Sequence, residues 1–184
     1  MTALPQGLTA GIWNIDPVHS EFTFTARHAG VSKVRGHFED IAGSVKVGET
    51  LEDSTVTAEA DVESITTRNP QRDGHLKSSD FFEAENNPKL TFKSTGINAI
   101  SNDEFELVGE LTMRGVTKEV TFATEFSGVA TDPNENQVAG LSAAATVDRK
   151  DFGMEFNAVL GGGELLVSNK IKIELELELE LVKA

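Results

Sequence analysis

Apolar residues recur at every second position through most of this chain, the mark of strands with one buried and one solvated face. Phe22, Phe24, Ala26 and His28 share one face, with Thr23, Thr25 and Arg27 on the other. Val34, Gly36 and Phe38 continue the pattern, after which the apolar parity moves to Ile41, Gly43, Val45 and Val47. A shift by an odd number of residues inside one apparent strand predicts a bulge or bend at Glu39-Asp40. The alternation resumes in four sets: Val56, Ala58, Ala60 and Val62; Leu90, Phe92 and Ser94; Phe105, Leu107, Gly109, Leu111 and Met113; Val120, Phe122, Thr124 and Phe126. The alanine-rich run from Val138 to Val147 has an ambiguous inward face. In the clearest strand, Ile171, Ile173, Leu175, Leu177, Leu179 and Leu181 alternate with Lys172, Glu174, Glu176, Glu178 and Glu180. With the segment Ile12 to Ile15, the pattern predicts about eight or nine strands, punctuated by turn residues at Gly48-Glu49, Asn102-Asp103 and Asp132-Pro133-Asn134.

One stretch departs from this period. Asn69 to Ser78 has the composition of a short helix with Pro70 in its first turn, and Pro88 then opens the next strand. No repeat or composition break divides the chain, so residues 1–184 are expected to form one domain with a core from about 12 to 182. Strands with one apolar face and almost no helix must close on themselves or stack as a sandwich, and the bent strands favour a barrel. The expectation is therefore all-β: an eight-stranded antiparallel barrel with a short helix near residues 70–78. A barrel of that size is just wide enough to be filled by side chains or to hold one slender ligand.

Composition narrows the function. Thirty acidic residues against 16 basic ones give a net charge of −14, which argues against broad nucleic-acid binding and against docking on an anionic membrane. Cysteine is absent, excluding disulfides, thiolate catalysis and thiolate metal sites. Met1 to Ile12 lack a basic n-region and an apolar h-region, and no stretch nears the roughly 20 apolar residues of a membrane helix. The expected location is the cytoplasm. Eleven phenylalanines, no tyrosine and one tryptophan, beside small inward residues such as Ala26, Gly36, Gly43 and Ala58, fit either an apolar tunnel or a tapering packed core. Two basic islands, Arg27 to His37 and Arg68 to Lys77, either converge at one mouth of the barrel or pair with local carboxylates.

The run from Trp13 through Asp16-Pro17-Val18-His19-Ser20 to Phe24 resembles the opening strand of the YceI-like family. So do His28-Ala29-Gly30 to Phe38, Ser64-Ile65-Thr66-Thr67, and Arg72-Asp73-Gly74-His75-Leu76 to Phe82. Asn87-Pro88 to Ser94, Gly109 to Thr117, and Asp148-Arg149-Lys150-Asp151-Phe152-Gly153 complete the resemblance, in order, from about residue 12 to 182. It implies a lipocalin-like extended barrel, a homodimer in many members, and a long polyisoprenoid, isoprenoid quinone or fatty-acid-like amphiphile as the partner in the lumen. It implies no cofactor and no established catalysis.

Parity places Phe22, Phe24, Ala26, His28, Phe38, Val56, Ala58, Leu90, Phe92, Phe105 and Leu107 toward the lumen as the expected ligand lining. His28, on that face, is the first candidate for a polar head group, with the alternative of a hydrogen-bonded core histidine. Arg72 and His75, one helical turn apart, are the further head-group candidates if the helix is a lid, or plug the barrel end if it is not. His19, of opposite parity and beside Asp16, reads as a structural residue at the start of a strand. The spacing of His19, His28 and His37 puts them on different faces or strands, and no metal site is expected. Phe81 and Phe82 read as packing under the helix. The Asp151-Phe152-Gly153 tripeptide has no other kinase feature around it, and Gly161-Gly162-Gly163 lacks a dinucleotide fingerprint and reads as a loop. The competing functions are a hydrolase or isomerase using His28 with Asp16 or Asp73, and a closed-core interaction module without a cavity.

Overall fold

The computed structural model describes all 184 residues. Eleven strand segments and one helix follow in the order β1 (Gly11–Ile15), β2 (Glu21–His28), β3 (Ser32–Phe38), β4 (Ile41–Val47), β5 (Thr55–Asp61), β6 (Ile65–Thr66), α1 (Pro70–Lys77), β7 (Lys89–Ala99), β8 (Glu104–Met113), β9 (Val116–Thr131), β10 (Gln137–Asp148) and β11 (Lys170–Leu181). All pairings are antiparallel. The order β1-β4-β5-β7-β8-β9-β10-β11 closes because β1 also pairs β11, through Trp13–Leu181, Asn14–Glu180 and Ile15–Leu179. The result is a barrel of eight staves, as the strand pattern predicts.

Three staves are broken, which is why eight staves appear as eleven segments. β11 pairs β1 with its C-terminal part and β2 with its N-terminal part, so β1 and β2 are one stave interrupted at Asp16–Ser20. The expected break at Glu39-Asp40 separates β3 from β4. A 3-10 turn, Val62–Ser64, breaks β5 from β6 beside it. The two breaks satisfy each other: Glu39 N–H donates to the Ser64 carbonyl at 3.2 Å, Asp40 N–H to Ser64 Oγ at 3.0 Å, and Asp61 N–H to the Asp40 carbonyl at 2.9 Å. Aligned interruptions bend the sheet without leaving orphaned backbone groups.

The predicted turns all fall between strands. Asp132 holds the β9–β10 turn by accepting from the Asn134 and Asn136 N–H groups at 2.8 and 2.9 Å. In α1, Asn69 caps the first turn by accepting from Arg72 N–H at 3.1 Å, and Pro70 needs no donor there.

Beyond β10 a 3-10 turn, Arg149–Phe152, carries the chain into a long connection that returns at β11. Arg149 is buried and anchors this connection. Its guanidinium donates to the carbonyls of Met154 at 2.6 Å and Ser168 at 2.9 Å. Five fixed donors let one side chain hold both ends of the loop. Arg149→Met should therefore cost about 1–3 kcal/mol of unfolding free energy in urea titration by leaving those carbonyls unpaired. Arg149→Lys should recover only part of the loss, because an ammonium cannot reproduce the planar fork.

Candidate functional site

Burial along single strands locates the site. On β11, Ile173 is 3 % exposed and Leu179 2 %, yet Leu175 and Leu177 between them are only half-buried. All four share the inward face. On β10 the same sequence appears as buried Ala139, half-buried Leu141 and buried Ala143, and on β5 half-buried Val56 and Ala58 precede buried Ala60. Inward side chains that are packed at two levels and loose between them enclose a hollow. The interior is thus packed toward both ends and hollow between them, neither packed throughout nor an open tunnel.

The cavity offers about 140 Å³ to the centre of a water-sized sphere. A single water requires roughly 10–15 Å³ on that measure. The whole space between the lining atoms, mouth included, is about 1310 Å³. Of 31 lining residues 26 are hydrophobic, the others being Pro5, Ser54, Glu59, Thr91 and Thr124. The two buried hydroxyls are already satisfied locally: Ser54 Oγ donates to the Thr50 carbonyl at 3.0 Å and accepts from Gly48 N–H, and Thr124 Oγ1 donates to the Phe122 carbonyl at 3.2 Å. Glu59 is exposed, its carboxylate held by Lys89 Nζ at 2.6 Å. Such a lining offers nothing to a polar group and stays dry or takes an apolar guest.

Both ends are capped. At one, Phe38, Val62, Ile65, Leu90, Leu111, Phe152 and Met154 form a packed cluster with half-buried Phe22, Phe24, Leu76 and Phe82 against it. Ring contacts run Phe22–Phe38 at 4.9 Å, Phe24–Phe38 at 5.7 Å and Phe38–Phe82 at 5.7 Å. At the other, Trp13, Val47, Leu51, Phe105, Phe126 and Leu179 pack with Leu4 and Leu8. The segment before β1 lies across this end like a strap. Thr2 donates its N–H and hydroxyl to the Glu52 carboxylate at 2.6–3.0 Å and accepts from Leu51 N–H, while Pro5 and Leu8 line the cavity. The Thr2 hydroxyl, and then its N–H, push the Glu52 carboxyl down to about 2.

Of the residues expected to face the lumen, Phe22, Val56, Ala58, Leu90, Phe92, Phe105 and Leu107 line the cavity. Phe24 and Phe38 belong instead to the aromatic cap. Ala26 and His28 lie beyond it, on a hairpin that outruns the closed barrel, and His28 is exposed. Alternation assigns a residue to a face correctly, but that face stops being interior where the stave leaves the barrel. The head-group candidates on α1 are each engaged by other partners. Arg72 turns back to donate to Thr67 Oγ1 at 2.7 Å and the Thr67 carbonyl at 2.8 Å, beside Asp73, which accepts from Thr67 N–H and Oγ1. His75 meets Asp80 at 2.8 Å and stacks edge-on against Phe81 and Phe156. These contacts hold both side chains against residues flanking α1.

The side chains closest to a metal-binding arrangement are Asp16, His19 and Glu178, with ligand atoms within 4.8 Å of one another. His19 Nδ1 is 2.7 Å from Asp16 Oδ2 and 3.6 Å from Glu178 Oε1. The Asp16 hydrogen bond raises the His19 pKa and the same bond lowers that of Asp16, which fits an ion pair clasping the β1–β2 break. The three histidines of the evenly spaced series stay apart, on the break, at the hairpin end of β2 and within β3.

Comparison with known proteins settles the kinship. The YceI-like domain profile matches residues 13–179. The chain belongs to the YceI-like family. A UPF0312 protein of Staphylococcus epidermidis is 38% identical over 164 residues, covering 87% of this chain and 92% of the relative. Among solved structures, the Campylobacter jejuni YceI protein superposes with a TM-score of 0.73 at 26% identity, covering 85% of this chain and 90% of that one. BcnA of Burkholderia cenocepacia gives 0.76 at 17%, covering 89% and 98%. A polyisoprenoid-binding domain from Saccharophagus degradans gives 0.72 at 13%, covering 92% and 98%, a likeness of fold.

The strap lies outside the YceI-like match. Its Leu4, Pro5 and Leu8 were missed in reading the alternation, since a crossing segment has no period; three apolar residues ahead of the first strand were the only signal. Glu52 carries a depressed pKa, so its hold on Thr2 is present above the ordinary glutamate value of 4.5 and lost as pH falls toward 2. Release of a lumen-bound apolar fluorophore should thus stay slow from pH 7 to 5 and quicken below about 4.5. Glu52→Gln should release it faster already at pH 7, by stopped-flow dilution.

Proposed function

We propose that this YceI-like protein binds and carries a long apolar or amphiphilic molecule of the polyisoprenoid, isoprenoid quinone or fatty-acid type, its hydrocarbon tail in the lumen, without catalysing a reaction on it. The observation that carries this reading is the unfilled middle of the barrel, walled by 26 hydrophobic residues with its buried hydroxyls already bonded. Phe22, Val56, Ala58, Leu90, Phe92, Phe105 and Leu107 are the proposed tail contacts. The Saccharophagus degradans neighbour, a polyisoprenoid-binding domain by name, supports the same ligand class through its fold.

The chemistry of the lining weighs against an enzyme. General acid–base catalysis requires a titratable group within about 2.6–3.2 Å of the reacting proton. Here His28 is exposed on its hairpin, Asp16 is paired with His19, and Asp73 is bonded to Thr67. A closed-core interaction module is disfavoured by the hollow itself. An apolar cavity kept open forgoes dispersion contacts that a filled one would make, a cost natural cores avoid unless the space has a use.

Organic extraction of the purified protein followed by mass spectrometry should recover an isoprenoid or fatty amphiphile in near-stoichiometric amount. Clean extracts, with no uptake of prenyl alcohols or quinones supplied in excess, would overturn the reading. Ala58→Phe should discriminate further. Filling the hollow should raise stability by about 0.5–2 kcal/mol while reducing uptake at least roughly tenfold, whereas a packed core would instead lose about 1–3 kcal/mol to overpacking.

A further inference from the structure

The hairpin that carries His28 away from the barrel concentrates positive charge in an otherwise acidic protein. Arg27 and Lys33 stand directly opposite each other across β2–β3, and Arg35 stands opposite Thr25. Thr25 is flanked on its other side by Lys172 of β11, and Lys170 lies two residues before it. Arg27, Lys33 and Arg35 are exposed and have no carboxylate within 4.0 Å. Lys170 and Lys172 have only loose partners, Asp148 and Glu174, both at 3.6 Å. Like charges facing across a strand pair destabilise a hairpin. With 30 acidic residues in the chain, the pair is left without a carboxylate partner at the end of this hairpin.

Apolar side chains crown the same end. Ala29 and Gly30 both hold positive φ, 52° and 71°, making a tight turn that presents Val31 at 81 % exposure. A second hairpin lies alongside: Ala29 N–H donates to the Leu166 carbonyl, and Val159 pairs with Leu165 across the Gly161-Gly162-Gly163 turn. Val159 is 73 % exposed and Leu165 41 %. Two short tips with bare aliphatic side chains, one of them set on the cationic β2–β3 shank, match the interface of an anionic bilayer. The aliphatics enter the headgroup–acyl boundary and the cations meet the phosphates.

We infer that the β2–β3 hairpin and the adjacent 159–165 hairpin form a docking surface for an anionic lipid membrane. The net charge of −14 does not oppose this, because the charge is polarised along the barrel. β11 runs outward-facing from Lys170 and Lys172 through Glu174, which lies 3.6 Å from Lys172, to Glu176, Glu178 and Glu180. At about 3.3 Å per residue Glu176 is already roughly 20 Å from Lys170, well past the Debye length of about 8 Å in physiological salt. Glu164, beside Gly30, is the acidic group nearest the turn and tempers the patch without reversing it. The inference does not stand on the lumen reading, since vesicle binding and tail uptake are separate measurements.

The test is co-sedimentation of the full chain with vesicles of phosphatidylcholine alone and of phosphatidylcholine mixed with phosphatidylglycerol. Binding should require phosphatidylglycerol and vanish in high salt. The Arg27→Glu, Lys33→Glu, Arg35→Glu variant should lose at least roughly 100-fold, at about fivefold or more per cation. Val31→Asp should weaken binding with the charges intact, and Lys46→Glu, on the remote strand β4, should leave it unchanged. If the triple variant does not fold by circular dichroism, Val31→Asp and Lys33→Gln carry the test. No binding to phosphatidylglycerol vesicles, equal binding by the variants, or binding to DNA in place of vesicles would overturn the docking surface. Variants that leave the vesicles yet still take up prenyl alcohols would uphold it and the carrier function independently.

Discussion

Closure of the sheet is the constraint on which the molecule depends. Three residue pairs, Trp13–Leu181, Asn14–Glu180 and Ile15–Leu179, join the first stave to the last and remove the edge that an open sheet of this length would expose. Once eight staves close, the diameter is set, and side chains of ordinary size fill its centre only where large ones meet. Here they meet at two levels, around Phe38 and Phe152 and around Trp13 and Leu179. Between them Leu141, Leu175, Leu177, Val56 and Ala58 are only half-buried and leave the centre open. The hollow follows from which residues sit at the middle of each stave.

The two ends are closed by different means. The helix end is sealed by aromatic packing and by the Thr67–Arg72–Asp73 bonds that fix α1. The opposite end is sealed by a strap whose polar anchor, Thr2 on Glu52, is exposed. Buried packing yields only with the surrounding structure, whereas an exposed anchor opens locally and cheaply. This asymmetry makes the strap end the one that opens with less disturbance to the rest of the fold.

Much of this was readable in the amino-acid order. The alternation of Ile171 to Leu181 dictates a strand with one wet face, and the parity jump after Phe38 marks a break that the coordinates place at Glu39-Asp40. Seven lumen residues follow from parity alone. The failures share one cause: parity reports direction and is blind to height along the barrel. Ala26 and His28 carry the right phase but lie past the rim, and Phe24 and Phe38 lie in its cap. Arg72 and His75 were adjacent on a helix face as expected, yet nearer acceptors, Thr67 and Asp80, claim them. Which acceptor lies nearest is tertiary information that a spacing of three residues does not hold.

The single tryptophan gives the molecule an optical asymmetry. Trp13 is 1 % exposed, sits in the cluster beneath the strap, and donates its indole N–H to the Thr9 carbonyl at 3.0 Å. With no tyrosine in the chain, near-ultraviolet emission arises almost wholly from that one ring. Water reaching it would red-shift the band, so intrinsic fluorescence watches one rim of the vessel and is deaf to the other.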